Sequence, residues 1–219
     1  MIINLLIIFW SSFIIAFSGA LVPGPLLTYT ITKSLEKGWF AGPMIIIGHG
    51  ILEICMLIIL ILGLSPILNN SLIIGIISIL GMIILLFISI GMFKTLKEKE
   101  IDFYQKKEFK FKNNLIIFGI IMSLSNPFWF IWWVTIGINY ITLSIKYKIL
   151  GVLLFFIGHI LADFLWYSIV SLSIHKSKKF INIILYKIII SVCASLLIIF
   201  SLWFGYTGIL KLKEIISLG

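Results

Sequence analysis

Residues 45–53 read IIIGHGILE and decide the fold, because they place a histidine and a glutamate inside a long apolar run. No other acidic or basic side chain lies between Lys37 and Lys94. His49 and Glu53 are four residues apart, so on a helix they project from one face, close enough to hydrogen-bond. The stretch therefore predicts a helix that carries a polar pair through apolar surroundings.

A second stretch, residues 155–163, repeats the pattern as FFIGHILAD, with His159 four residues before Asp163. Each copy follows a run that contains a proline break, VPGP at residues 22–25 and NP at residues 126–127. Each copy also precedes a run that ends in Gly-x4-Leu-Lys-x-Lys-Glu, at residues 91–100 and 205–214. Three matches in the same order predict an internal repeat.

The composition places this chain in a membrane. Of its 219 residues 61% are hydrophobic and 11% are charged, whereas a soluble domain carries about 25% charged residues. The net charge of +9 does not predict nucleic-acid binding, because the lysines lie in short gaps between apolar runs. Cys55 and Cys193 lie within such runs and form no CxxC motif, which is typical of packing residues. No metal site and no cofactor is predicted.

Six apolar runs are long enough to cross a bilayer as helices, which requires about 20 residues each. The predicted fold is an all-α integral membrane protein of one domain, residues 1–219. Residues 1–100 form a first three-helix repeat, residues 101–114 a cytoplasmic basic loop, and residues 115–219 a second three-helix repeat. The predicted spans are approximately residues 2–31, 41–63, 72–93, 115–140, 149–174 and 183–210.

The lysines predict how the chain is oriented. Thirteen of the 17 lie in the three connections that would share one side of the membrane, and membrane proteins concentrate lysine on the cytoplasmic side. Lys33, Glu36 and Lys37 are expected to form the first of these connections, and residues 175–179 a basic turn. The prediction is a multi-pass protein of the cell membrane with both its N- and C-termini outside.

A repeat with an odd number of spans inserts its second copy in the opposite orientation, which is the inverted-repeat architecture of many transporters. Glu53 lies about 12 residues into its span and Asp163 about 14 into its own, so each is roughly 18–21 Å from its starting face. In a hydrocarbon core of about 30 Å both carboxylates fall in the middle region. They are therefore expected to meet near the axis between the repeats, beside the proline breaks.

Three motifs together resemble the LysE-type amino-acid exporter family. They are residues 22–25, the Asn-Pro-x4-Trp-Trp of residues 126–133, and the Gly-His-x3-Asp of residues 158–163. The resemblance covers most of the chain and implies a six-span secondary exporter of amino acids or related small metabolites. Members divide among basic, neutral and hydroxylated amino acids, so the resemblance fixes no substrate. It also implies that the protein is not an enzyme.

The candidate site combines the two Gly-His segments with the two breaks. A charge at the bilayer centre costs at least about 2.5–3.5 kcal/mol, so ionisable residues there usually serve a function rather than only lock helices together. Broken helices expose backbone N–H groups that hold anions, and the carboxylates can take an ammonium group or a proton, which the histidines tune or relay. The candidate substrate-binding or proton-coupling residues are His49, Glu53, His159, Asp163, Pro23, Gly24, Pro25, Asn126 and Pro127.

Other interpretations of these residues stay open. A divalent-cation transporter of similar build would use the same side-chain types, although only two carboxylates and two histidines lie at depth. An intramembrane metal hydrolase would need a motif such as His-Glu-x-x-His, which is absent. The aromatic cluster at residues 128–133 is expected to pack against lipid and anchor the interface. The expected partners are a small-molecule substrate and the lipid bilayer, with a second copy of the chain, in a homo-oligomer, as a further alternative.

Overall fold

The structure is a computed structural model that describes residues 2–22, 24–63, 70–96, 114–180 and 182–216. Pro23 and residues 101–113 of the predicted basic loop lie outside the described residues. The final residues of the first repeat, 97–100, do so as well. Within the described ranges the regular structure is entirely helical.

The helices are numbered here in chain order. They are α1 Ile2–Ala20, α2 Pro25–Lys37, α3 Ala41–Ile61, α4 Ser71–Leu96, α5 Leu115–Leu124, α6 Pro127–Trp132, α7 Ile138–Ile145, α8 Lys148–Ser177 and α9 Ile183–Ile216. A π-helical turn, Trp133–Gly137, joins α6 to α7, and a 3-10 turn, Lys178–Phe180, follows α8.

Six helical segments in the described part are long and apolar enough to cross a membrane. They are Ile2–Ala20, Ala41–Ile61, Ser71–Lys94, Pro127–Ile145, Lys148–Ser177 and Ile183–Glu214. The prediction of an all-helical, six-span membrane protein is confirmed. The inverted sense of the two repeats stays a prediction.

The first and fourth predicted spans are both broken at their prolines. Gly24 has an extended backbone, and Pro25 opens α2 at a position where its missing N–H costs nothing. Asn126 is also extended, its side chain accepts a hydrogen bond from the Phe128 N–H at 3.1 Å, and Pro127 opens α6. The prediction of a helix break in each half therefore holds at Gly24–Pro25 and at Asn126–Pro127.

The two halves pack through three pairs of helices, with one helix of each pair from each half. Helix α1 lies along α8, α3 lies along α5, and α4 lies along α9. Glycines permit the close approach, since a Cβ on Gly48 would collide with the Ile116 carbonyl oxygen and one on Gly119 with that of Ile45. Gly158 lies against the Phe9 carbonyl oxygen in the same way. Each Gly-His segment is thus positioned at a contact between the halves.

Two predicted connections are partly wrong, because the helices run further than the apolar runs, although Lys178 and Lys179 do lie in a turn. Helix α2 continues through Lys37, so Lys33 and Glu36 are helical and pair with each other, and Lys33 is only 5% exposed. The residues at 175–176 likewise belong to the last turn of α8 and not to a turn. At 30 residues α8 is about 45 Å long, which exceeds a hydrocarbon core of about 30 Å. Charged residues can therefore lie on the helix beyond the apolar segment.

Candidate functional site

Four ionisable side chains converge between the halves, His49 and Glu53 from α3 and His159 and Asp163 from α8. All four are buried, and Glu53 is only 1% exposed. The Nε2 atoms of both histidines lie 3.0 Å from Glu53 Oε1. They lie 3.8 Å and 3.5 Å from Asp163 Oδ2, for His49 and His159 respectively. Each imidazole therefore faces a carboxylate from each half, and the structure brings the two Gly-His segments together.

Glu53 also accepts hydrogen bonds from two indoles. The Nε1 atoms of Trp129 and Trp133 lie 3.4 Å and 3.2 Å from the same oxygen, Oε1. Four nitrogens around one oxygen match the acceptor-only character of an ionised carboxylate. The expectation that this aromatic cluster packs against lipid is wrong for these two residues, since Trp129 is buried and Trp133 is fully buried. Their spacing of four residues was the available signal, because it places both indoles on one face.

Ser123 is a further contact that the sequence did not reveal. His49 Nδ1 lies 2.6 Å from Ser123 Oγ, and Ser123 Oγ donates to the Gly119 carbonyl oxygen at 2.9 Å. A hydroxyl has one proton to donate, so His49 Nδ1–H donates to Ser123 in this arrangement. The Nε2 atom of the same ring lies 3.0 Å from Glu53 Oε1, so His49 links Ser123 to Glu53. A single serine in an apolar span carried no signal of this role.

Three buried polar atoms of the cluster have no hydrogen-bond partner within the described part of the chain. They are Glu53 Oε2, Asp163 Oδ2 and His159 Nδ1. Buried polar groups are nearly always satisfied, so such atoms require water, an ion or a ligand. The cluster thus has two buried carboxylate oxygens that make no hydrogen bond within the described residues.

A cavity of about 380 Å³ adjoins this cluster. All four ionisable residues line it, together with Gly24 and Pro25 from one break and Asn126 from the other. Asn126 Nδ2 lies 3.9 Å from the position that a Cβ on Gly24 would occupy, so the two breaks adjoin each other. Pro127 is buried while its neighbours Asn126 and Phe128 line the cavity, and Pro23 lies outside the described residues.

The family described as LysE type translocator matches residues 17–208. The chain belongs to the LysE type translocator family. Both helix breaks and both Gly-His segments fall within the matched residues. Neither the curated proteins nor the solved structures give a significant match. Members of this family are membrane transporters and not enzymes, so the protein is a multi-pass translocator of small solutes such as amino acids.

This translocator has three side chains at the cluster that could hold a cation. His49, Glu53 and Asp163 each offer one ligand atom, and the three atoms lie within 4.8 Å of one another. Imidazole nitrogen and carboxylate oxygen together suit several divalent first-row metals. The same carboxylates can equally accept hydrogen bonds from an ammonium group. The geometry thus accommodates an organic or a metallic cation.

Proposed function

We propose that the protein is a secondary transporter that exports amino acids or related small metabolites by alternating access, in exchange for protons. One observation carries the proposal: four ionisable side chains from both halves converge in a cavity that both helix breaks adjoin. Inverted-repeat transporters bind substrate at such breaks. Export rather than import is supported by the family alone.

In this mechanism the helix breaks hold the carboxylate of the substrate. The first N–H groups of a helix have no acceptor within the helix and attract anions. Pro25 has no N–H, so the next amide, that of Leu26 beside the cavity, is the first available donor of α2. The side-chain amide of Asn126 supplies a second donor on the opposite side of the junction.

In this mechanism the carboxylates bind the ammonium group of the substrate and a proton alternately. Glu53 Oε2 and Asp163 Oδ2 make no hydrogen bond within the described residues, so an ammonium group binds there. A proton on the same carboxylate removes the negative charge that attracts the ammonium group. Proton and substrate then exclude each other, which is the condition for antiport. His49 and His159 lie between the carboxylates and can relay the proton.

The same contacts couple the binding of an ammonium group or a proton to the relative position of the two halves. His159 of α8 lies 3.0 Å from Glu53 of α3, so these side chains tie one half to the other. An ammonium group or a proton changes which of these contacts form, and a ligand shifts a conformational equilibrium through such differences. Exchange of the occupant therefore favours movement of one half against the other.

Purified protein in proteoliposomes tests the function. A panel of labelled amino acids is supplied under two opposite pH gradients, and we expect at least one to accumulate only under the gradient that drives exchange. Accumulation that ignores the pH gradient would remove proton coupling from the proposal. A divalent-cation transporter is the second candidate, favoured by the three donor atoms within 4.8 Å. If the protein took up Mn²⁺ or Zn²⁺ and transported no amino acid, the divalent-cation transporter would replace the proposed amino-acid exporter.

The orientation in the cell membrane is tested separately. The lysine distribution supports both termini outside and the connection near residue 104 in the cytoplasm. After Cys55 and Cys193 are replaced, single cysteines near residues 1 and 69 should react with impermeant reagents added to intact cells. A cysteine near residue 104 should react only after the cells are opened. The reverse labelling would invert the orientation.

A further inference from the structure

The charges in the cavity suit one cationic group and no more. Among the described residues that line it, the acidic and basic side chains are the two histidines and the two carboxylates of the cluster. Both imidazole Nε2 atoms lie 3.0 Å from Glu53 Oε1 and farther, at 3.8 Å and 3.5 Å, from Asp163 Oδ2, and neither Glu53 Oε2 nor Asp163 Oδ2 makes a hydrogen bond within the described residues. The ammonium group of an amino acid occupies these oxygens. A second positive charge, on a basic side chain, would then be buried without a counter-charge, which is costly.

The walls away from the cluster are aromatic and aliphatic. Phe128 and Trp203 pack with ring centroids 4.4 Å apart, and Phe200 lines the cavity beside them. Ile131 and Ile136 add aliphatic surface. A substrate side chain placed against these walls leaves water for apolar contact, and the gain grows with its apolar area.

Three of the four side chains with a hydroxyl group that line the cavity, those of Ser18, Ser123 and Thr135, already donate or accept hydrogen bonds within the protein. Ser18 Oγ accepts from Trp132 Nε1 at 3.1 Å, and Thr135 Oγ1 donates to the Ile131 carbonyl oxygen at 2.6 Å. Ser123 Oγ bonds to His49 and to the Gly119 carbonyl oxygen. A site discriminates for a hydroxyl by pairing it with dedicated groups, and these hydroxyls are committed elsewhere.

We propose that the preferred substrates are amino acids with large, uncharged, apolar side chains, such as leucine and phenylalanine. This inference rests on the proposed function, because it assigns a substrate class to the same cavity. Leucine has three more carbon atoms than alanine, and each buried methylene is worth about a factor of four in binding. Leucine should therefore be preferred over alanine by roughly 60-fold. Serine gains little from the apolar walls, and lysine, although its methylene groups can contact them, buries an unpaired charge.

The test measures initial rates of transport into proteoliposomes for five labelled amino acids below saturation. We expect leucine and phenylalanine to be transported fastest, alanine about 60-fold more slowly, and serine and lysine no faster than alanine. Lysine or serine transported as well as leucine would overturn the assignment of substrate class while leaving amino-acid transport intact. Transport of none of the five amino acids would instead overturn the proposed function itself.

A pair of variants on α9 tests whether the aromatic wall of the cavity sets the preference for leucine over alanine. Phe200→Ala removes a ring that lines the cavity, so the preference for leucine over alanine should fall at least fourfold, the value of one methylene contact. The control, Leu202→Ala, removes a side chain that is 62% exposed on the same helix and should leave the preference unchanged. An equal preference in both variants would contradict the role of the aromatic wall. The panel on the unaltered protein decides the substrate class even if Phe200→Ala fails to fold.

Discussion

Glu53→Gln is the substitution that separates proton coupling from substrate binding. Glutamine keeps the shape of glutamate and an oxygen that can accept from the two indoles, which lie 3.2 Å and 3.4 Å away. It cannot bind or release a proton, and it presents an amide NH₂ where Glu53 Oε2 has no partner in the described structure. The carboxylate's charge, rather than its volume, is what the change removes.

The expected loss of affinity follows from this one contact. A hydrogen bond to a charged group is worth about 1.5–3 kcal/mol, so substrate binding should weaken by roughly 10- to 150-fold. Accumulation driven by a pH gradient should be abolished, because no proton can replace the ammonium group at this side chain. Exchange of labelled for unlabelled substrate at equal pH needs no net proton movement, so it should persist at higher substrate concentration.

Both assays use the same purified protein in proteoliposomes, with size-exclusion chromatography to confirm that the variant is folded. Glu214→Gln is the control, since that carboxylate lies exposed at the end of α9 and pairs with Lys211. It should leave both assays unchanged. Asp163→Asn tests the second carboxylate in the same way. If both cavity variants still accumulated substrate under the pH gradient, the proton-coupling role of the cluster would be refuted.

Two further predictions concern the breaks and the contact between the halves. Pro127→Ala restores a backbone N–H and favours a straighter helix, so transport should fall while the melting temperature holds or rises. The control is Pro43→Ala, which lies in the first turn of the unbroken helix α3 and should leave transport intact. If Pro127→Ala lowered stability as much as transport, the helix break would have only a structural role and none in substrate binding. Gly48→Ala would push a Cβ into the Ile116 carbonyl oxygen and should cost about 1–3 kcal/mol in thermal unfolding, whereas Gly50→Ala meets only the flexible end of a side chain. Equal stability of the two variants would contradict the close approach of α3 and α5.

The positions of the polar residues in the sequence were enough to predict much of the site. His49 is the basic residue and Glu53 the acidic residue of a 56-residue apolar stretch. The same pattern at His159 and Asp163 marked the corresponding place in the second half. Burial of ionisable groups in apolar surroundings is costly, so their presence alone indicated a purpose. The helix breaks were equally readable, because proline removes a donor wherever it occurs.

The remaining contacts depend on side chains that are far apart in the chain. Ser123 contacts His49 across 74 positions, and Trp133 contacts Glu53 across 80. A serine or tryptophan in an apolar run has the same local pattern whether it faces lipid or a carboxylate. Lys33 shows the opposite case, since its charge suggested a loop while the packing of α2 buries it.

The sequence by itself determined the six apolar spans, the repeat, and the polar residues that each half contributes, because these follow from hydrophobicity and backbone chemistry acting over a few neighbouring residues. Only the tertiary structure decided that Glu53 receives both imidazoles and both indoles on one oxygen, and that the breaks adjoin at one cavity. That arrangement depends on helices from opposite halves approaching through Gly48, Gly119 and Gly158. Such contacts are set by packing in three dimensions, and the spacing of residues along one helix does not specify them.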